Sequence, residues 1–268
     1  MLVFPGCKIN LGLKVVSKRS DGFHEIESIL FPVPWYDALE LIPSDICIFT
    51  YKGKAIHCHA EDNICYMAYQ KMKQLYKIPT VKLYLLKNIP MGAGLGGGSS
   101  DAVYVLLVLN KLFSLGLNNN ELTEIAAGLG SDCSFFVQKG PCLASGKGEK
   151  LMPVSLNLKG YYLAIVKPDI SISTAEAYKM IIPCKRNISF ADVIKQPIEK
   201  WKDLLINDFE TPVFNKYPVI KEIKNQLYSK GAIYASMSGS GSAVYGLFEK
   251  KVTIKSVFPD YICWMGEL

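Results

Sequence analysis

The hydrophobic and polar positions of the chain change period several times along its length. Residues 8–16 and 26–33 are rich in strand-forming side chains and flank the polar stretch 17–22, the pattern of two strands around a turn. Residues 38–42 and 46–51 read as two further strands. Ile64, Ala68, Met72 and Leu75 then recur at helical spacing, which predicts a helix running to Tyr76 with Asp62 as its N-cap. Val81, Leu83 and Leu85 share one face of a strand predicted over 81–87. An apolar helix is expected over 102–115, and another over 118–129 with Asn119 or Asn120 as its cap. In the second half, strands are predicted at 161–167, 232–237 and 243–248, with helices around 174–180, 198–205 and 219–230. Strands and helices mix without strict alternation, so the fold class expected is α+β rather than a doubly wound parallel sheet. The segment 145–158, with its Gly-Lys-Gly-Glu-Lys run and a proline, is the best boundary, dividing the chain into domains 1–155 and 156–268.

Composition narrows the class. Of 268 residues, 50% are hydrophobic and 20% charged, an ordinary globular mixture able to bury a core. The net charge of +6 suits a polyanionic ligand, yet it is too diffuse for nucleic acid. No apolar run reaches membrane-spanning length, and the start MLVFPGCKIN reads as a first strand rather than a signal peptide, so a cytoplasmic location is expected. The eight cysteines are scattered without CxxC spacing, which points to buried thiols in a reducing compartment. His57, Cys58 and His59 are adjacent, but neighbours on a strand face opposite sides and chelate poorly; no protein metal ligand is assigned.

The strongest chemical signal is NIPMGAGLGGGSSD at residues 88–101. Gly92, Gly94, Gly96, Gly97 and Gly98 fall between a strand and a helix. Such density has a reason when backbone N–H groups must approach an anion closely, and a helix starting at Ser99 or Ser100 would aim its N-terminus at that anion. A Walker A loop would place Lys after its last glycine, and here Ser99 follows Gly98. The dinucleotide fingerprint fits only out of register and lacks its acidic ribose partner. Two readings remain: an anion-binding, phosphate-type loop formed by Pro90, Gly92, Gly94, Leu95, Gly96, Gly97, Gly98, Ser99 and Ser100, which the tight strand and helix flanks favour, and a flexible loop with no ligand.

The segment PMGAGLGGGSSDA at residues 90–102 closely resembles the phosphate loop of the GHMP kinase superfamily, which includes galactokinase, homoserine kinase and mevalonate kinase. Lys8-Ile9-Asn10-Leu11 and the run 236–242, Ser-Met-Ser-Gly-Ser-Gly-Ser, match it in order at the two ends. Asp21-Gly22-Phe23-His24, Glu61-Asp62-Asn63, Gly130-Ser131-Asp132 and Asn207-Asp208-Phe209-Glu210 are similar to the branch acting on a cytidine diphosphate-linked polyol in non-mevalonate isoprenoid synthesis. The resemblance covers nearly the whole chain. It implies a two-domain GHMP kinase fold, with a ribosomal protein S5-like N-terminal domain and a ferredoxin-like C-terminal domain. The partners implied are that small-molecule substrate and ATP with Mg²⁺, with no nucleic acid and no membrane, on a monomer or weak homodimer.

Roles carried over by the resemblance are specific. Lys8 and Asp132 correspond to the catalytic pair, the carboxylate accepting the proton of a poorly nucleophilic alcohol and the ammonium offsetting developing charge. Asn10 orients the substrate. Phe23, where tyrosine is common, and Tyr178 flank the cytosine, while His24 bonds its edge and Thr174 adds a polar contact. Asn63 and Lys87 contact the adenosine, and Ser238, Gly239 and Gly241 face the phosphates. No acidic Mg²⁺ ligand is identified; Ser99 or Ser100 and water are the candidates. The residues alone leave other readings open: an N-cap for Asp132, a solvent-reaching edge lysine for Lys8, core packing for Tyr178, a cap for Asn63 and a plain hairpin turn for residues 238–242. Homoserine kinases lack the aspartate base, and a non-catalytic binding protein would have lost Lys8 or Asp132.

Overall fold

The computed structural model describes residues 1–54, 60–138, 140–184 and 188–268; the His57-Cys58-His59 cluster lies outside the described residues. The chain divides into two compact units. The first comprises Met1–Cys7, Trp35–Met91 and Gly96–Lys139. Its four-stranded sheet runs in the order Leu2–Val3, Ala38–Pro43, Val81–Lys87, Ile48–Gly53, with only the last pair parallel. Leu39 opposes Leu85 and Leu41 opposes Leu83, so alternation puts four leucines on one face. That face packs with helices Ile64–Tyr76 and Gly97–Leu112 through Ala68, Met72, Val103, Leu106 and Leu109.

Three helix starts differ from the sequence expectation. Asp62 ends a 3₁₀ turn, Ala60–Asp62, and Asn63 is the N-cap instead, its Oδ1 accepting from the Cys65 amide at 2.9 Å. Asn118, not Asn119 or Asn120, caps Asn119–Ala127. Three successive asparagines are equivalent by type; Glu121 selects Asn118, because a capping box needs its acid three residues on. The helix after the glycine run begins at Gly97, so Gly97 and Gly98 are helical.

The second unit comprises Lys8–Pro34, Gly92–Leu95 and Gly140–Leu268. An antiparallel sheet runs in the order Tyr234–Met237, Val244–Phe248, Tyr162–Lys167, Ile262–Glu267. Helix Pro218–Ser229 buries Ile220, Ile223 and Leu227 in a core shared with Val244, Phe248, Ala164 and Val166. Another sheet, in the order Gly6–Lys18, His24–Tyr36, Cys142–Ser145, Lys150–Pro153, lies in this unit from Lys8 and up to Pro34. The glycine-lysine run at 146–149 is the turn joining its last two strands. Those two strands, the strand Ile262–Glu267 and the helix Glu210–Lys216 are absent from the sequence reading; four- to seven-residue elements carry too few periods to be recognised. No helix among the described residues is long and apolar enough to cross a membrane.

Candidate active site

In the first unit, strand Val81–Lys87 leads through the glycine run to helix Gly97–Leu112. Gly96 is the N-cap with φ +66°, a left-handed turn that L side chains resist. The first intrahelical bond joins the Ser100 amide to the Gly96 carbonyl at 2.9 Å, so the amides of Gly97, Gly98 and Ser99 precede the ladder without intrahelical acceptors. Glycine at the cap brings no side-chain oxygen to them. Three aligned donors at the positive end of a sixteen-residue helix suit an anion. Ser100 Oγ is buried without a hydrogen-bond partner. Ser99 bonds the Cys133 thiol, whose pKa burial pushes up to about 11.

Residues Gly92–Leu95 are sewn into the second unit. Gly94, with φ +75°, lies against the hairpin turn after Tyr234–Met237; a Cβ there would sit 2.0 Å from the Ser238 carbonyl oxygen. Ser238 Oγ donates to the Gly94 carbonyl at 2.8 Å and accepts from the Asn10 amide at 3.3 Å. The Lys8 amide donates to the Leu95 carbonyl at 2.9 Å, and the Ala243 amide to that of Ala93 at 3.2 Å. Lys8 is 2% exposed and gives a 2.6 Å hydrogen bond to Asn10 Oδ1, which removes the solvent-reaching reading. Asn10 Nδ2 donates to Ser28 Oγ at 2.8 Å, and Ser28 Oγ donates to the Gly12 carbonyl at 2.6 Å. The amide of Asn10 is thereby oriented with its oxygen toward the ammonium. The 238–242 run is a hairpin turn, and it also grips the glycine run through the bond of Ser238 to Gly94.

Elsewhere in the first unit, Asp132 occupies the N-cap position of Cys133–Val137, but its side chain makes no capping bond. Asn63 does cap, as described. Lys87 points inward, its ammonium held by Asp37 and, at 2.9 Å, by Asp101. Burial raises the Asp101 carboxyl to about 8 against the pull of Lys87, while the two carboxylates hold the Lys87 ammonium up against its own burial.

The residues read as a cytidine pocket all lie in the second unit. His24 stacks on Tyr178 with centroids 4.7 Å apart and planes 18° apart, and Tyr178 meets Phe209 edge-on at 4.9 Å. Phe23 is 53% exposed, with the Lys147 ammonium 4.6 Å over its ring. His24 titrates below its usual value because of burial and the nearby Lys18 charge. Thr174 is exposed at the start of helix Thr174–Lys179, where Ser173 is the cap.

Residues 63–140 match the GHMP kinases N terminal domain and residues 190–259 match the GHMP kinases C terminal domain. A relative from Parabacteroides distasonis, 4-diphosphocytidyl-2-C-methyl-D-erythritol kinase, is 48% identical over 100% of both chains. The chain belongs to the GHMP kinases. A Cytophaga hutchinsonii relative of this GHMP kinase with the same name is 45% identical over 94% of the chain and 93% of the relative. The crystal structure of a 4-(cytidine 5'-diphospho)-2C-methyl-D-erythritol kinase superposes with TM-score 0.86 and 29% identity, covering 99% and 98% of the two chains. Methanococcus jannaschii mevalonate kinase, at TM-score 0.72 and 14% identity over 100% and 98%, shares the fold. The two-domain α+β expectation for this GHMP kinase therefore holds.

Sequence reading of this GHMP kinase missed Asp37, Asp101 and Ser28. Asp101 directly follows the serine pair and was visible only as part of the motif; its pairing with Lys87 closes over fourteen residues. Asp37 pairs across fifty, which no local pattern encodes.

Proposed function

We propose that this chain transfers the γ-phosphoryl group of ATP to the 2-hydroxyl of 4-diphosphocytidyl-2-C-methyl-D-erythritol. The observation that carries this reading is full-length identity of 48% to a relative of that name. The GHMP kinases use ATP as phosphate donor. The amides of Gly97, Gly98 and Ser99 hold the triphosphate, supplying fixed donors where negative charge accumulates. Lys8, buried and oriented by Asn10, stabilises charge on the transferred group. Asp132, whose carboxylate does not cap its helix, accepts the proton of the tertiary alcohol. Tyr178 and Phe23 supply faces for cytosine, and His24, whose pKa burial and the Lys18 charge lower, bonds the base edge.

Mg²⁺ would neutralise the triphosphate; the hydroxyl of Ser99 or Ser100, the latter buried without a partner, with water, would be the hard oxygen donors to hold it at the helix start.

Coupled ADP release with the diphosphocytidyl alcohol, mevalonate and homoserine tests the assignment. Turnover only with the first is expected. Asp132→Asn should keep ATP affinity and lower kcat by about 100-fold or more, the contribution of a positioned base. Full turnover in that variant would remove Asp132 from the reaction.

A further inference from the structure

The tetrapeptide Asn207-Asp208-Phe209-Glu210 belongs to the motifs that resemble the family, yet phosphoryl transfer as derived above gives it no task. Its surroundings do. The segment runs beside strand Gly6–Lys18: the Leu13 amide donates to the Ile206 carbonyl at 3.0 Å, and the Asp208 amide to the Leu13 carbonyl at 2.8 Å. Asp208 Oδ2 accepts from the Val15 amide at 2.8 Å. Asn207 itself is fully buried. Its Nδ2 donates to two carbonyls of the glycine hairpin, Met237 and Gly239, each at 2.8 Å, while its Oδ1 accepts from the Phe209 amide at 3.0 Å. Glu210 Oε1 accepts from the Met237 amide at 2.9 Å and from Ser236 Oγ at 3.0 Å. Lys224 closes the arrangement on Glu210 Oε2 at 2.6 Å.

Between the two carbonyls gripped by Asn207 stands Ser238. Its hydroxyl is a joint, accepting from the Asn10 amide and donating to the Gly94 carbonyl. Asn10 Oδ1 in turn holds the Lys8 ammonium. A primary amide is the side chain this position requires, because two neighbouring buried carbonyls need two donors from one atom; aspartate has none when ionised.

We propose that Asn207 is a positioning residue for phosphoryl transfer, fixing the Ser238 joint so that Lys8 and the Gly94 turn stay in register. The inference rests on the kinase reading above. Asn207 touches no reacting atom; it acts through Ser238 and then Asn10. Glu210 braces the same hairpin from its other side.

The test compares Asn207→Ala, Asn207→Asp, Ser238→Ala and the double variant Asn207→Ala/Ser238→Ala in the full chain. Each is followed by kcat and KM for ATP and the diphosphocytidyl alcohol, and by amide hydrogen exchange of peptides containing Asn10 and Gly94. Asn207→Ala should lower kcat about 100-fold, as for a displacement near 1 Å, with both KM values within about threefold of wild type. The double variant should be little worse than the poorer single one, since both act through one joint. Exchange should rise at Asn10 and Gly94 as well as in the hairpin. Wild-type kcat in a folded Asn207→Ala chain, multiplying effects in the double variant, or exchange confined to the hairpin would each overturn the proposal. If neither Asn207 variant folds, Ser238→Ala decides: the same kcat loss and the same exchange at Asn10 support the joint, and unchanged values refute it. A wild-type chain inactive on the diphosphocytidyl alcohol would refute the function, while the exchange comparison still judges the relay.

Discussion

Replacing Gly94 with alanine tests whether the glycine run is built by close backbone approach. The left-handed φ of +75° costs an L residue about 1–2 kcal/mol. The added methyl would then stand 2.0 Å from the Ser238 carbonyl oxygen and 2.9 Å from its carbon, where such contacts are essentially never under 3.0 Å. Backbone must therefore retreat by about 1 Å, since interiors have no slack to absorb the overlap. Retreat strains the bonds Ser238 makes to Gly94 and Asn10, each worth a net of about 1 kcal/mol. A total loss of about 3 kcal/mol follows, which for a chain of this size lowers Tm by about 6–12 °C. Gly92→Ala is the internal control: it shares a positive φ of +61° but meets nothing within 4 Å, so only the backbone cost of about 1–2 kcal/mol applies. Differential scanning calorimetry of both variants, with an ATP titration of each, checks the comparison. Equal Tm losses in the two would show that the Ser238 contact does not constrain the loop, and the close-approach argument would fail.

Three further outcomes follow from the buried charges and the aromatic stack. Lys87→Met leaves Asp37 and Asp101 buried without their cation, and urea unfolding should show a loss of about 3–5 kcal/mol. Asp101, raised from 3.8 to about 8, binds its proton more tightly folded than unfolded, so its contribution is complete below its unfolded value and is lost as pH rises toward 8. Asp101→Asn removes that titration, and its urea midpoint should fall less than that of wild type between about pH 5 and about pH 9; an equal fall would place the dependence elsewhere. Tyr178→Ala removes the ring against His24 and should raise KM for the cytidyl substrate about tenfold, with KM for ATP unchanged in initial-rate assays.

The elements recognised from sequence are those with several periods of pattern. Strand Val81–Lys87 and helix Pro218–Ser229 were legible within a residue at each end, because burial of one face repeats three or more times along them. The strand Ile262–Glu267 was not, since its partner Tyr162–Lys167 lies a hundred residues earlier and its side chains do not alternate: Ile262 to Gly266 are partly covered and Glu267 is exposed. Caps showed the same limit: residue type marked the neighbourhood, and reciprocal geometry with Glu121 chose the residue.

The candidate site divides along the same line. The glycine run announces an anion site on its own, because backbone freedom is a property of single residues and short spacings, whereas the cytidyl-type motifs were legible only through their resemblance to the family, and the inward direction of Lys8 only in the fold. What each polar side chain is bonded to depends on which distant segments fold beside it. Lys87 and Asn63 carry groups that a nucleotide could use, yet packing commits one to Asp37 and Asp101 and the other to a helix start. Ser238 meets Gly94 and Asn10 across separations of 144 and 228 residues. Local sequence has no means of specifying such distant pairings, since they arise only when a buried polar atom must find the one partner that the folded chain brings within reach.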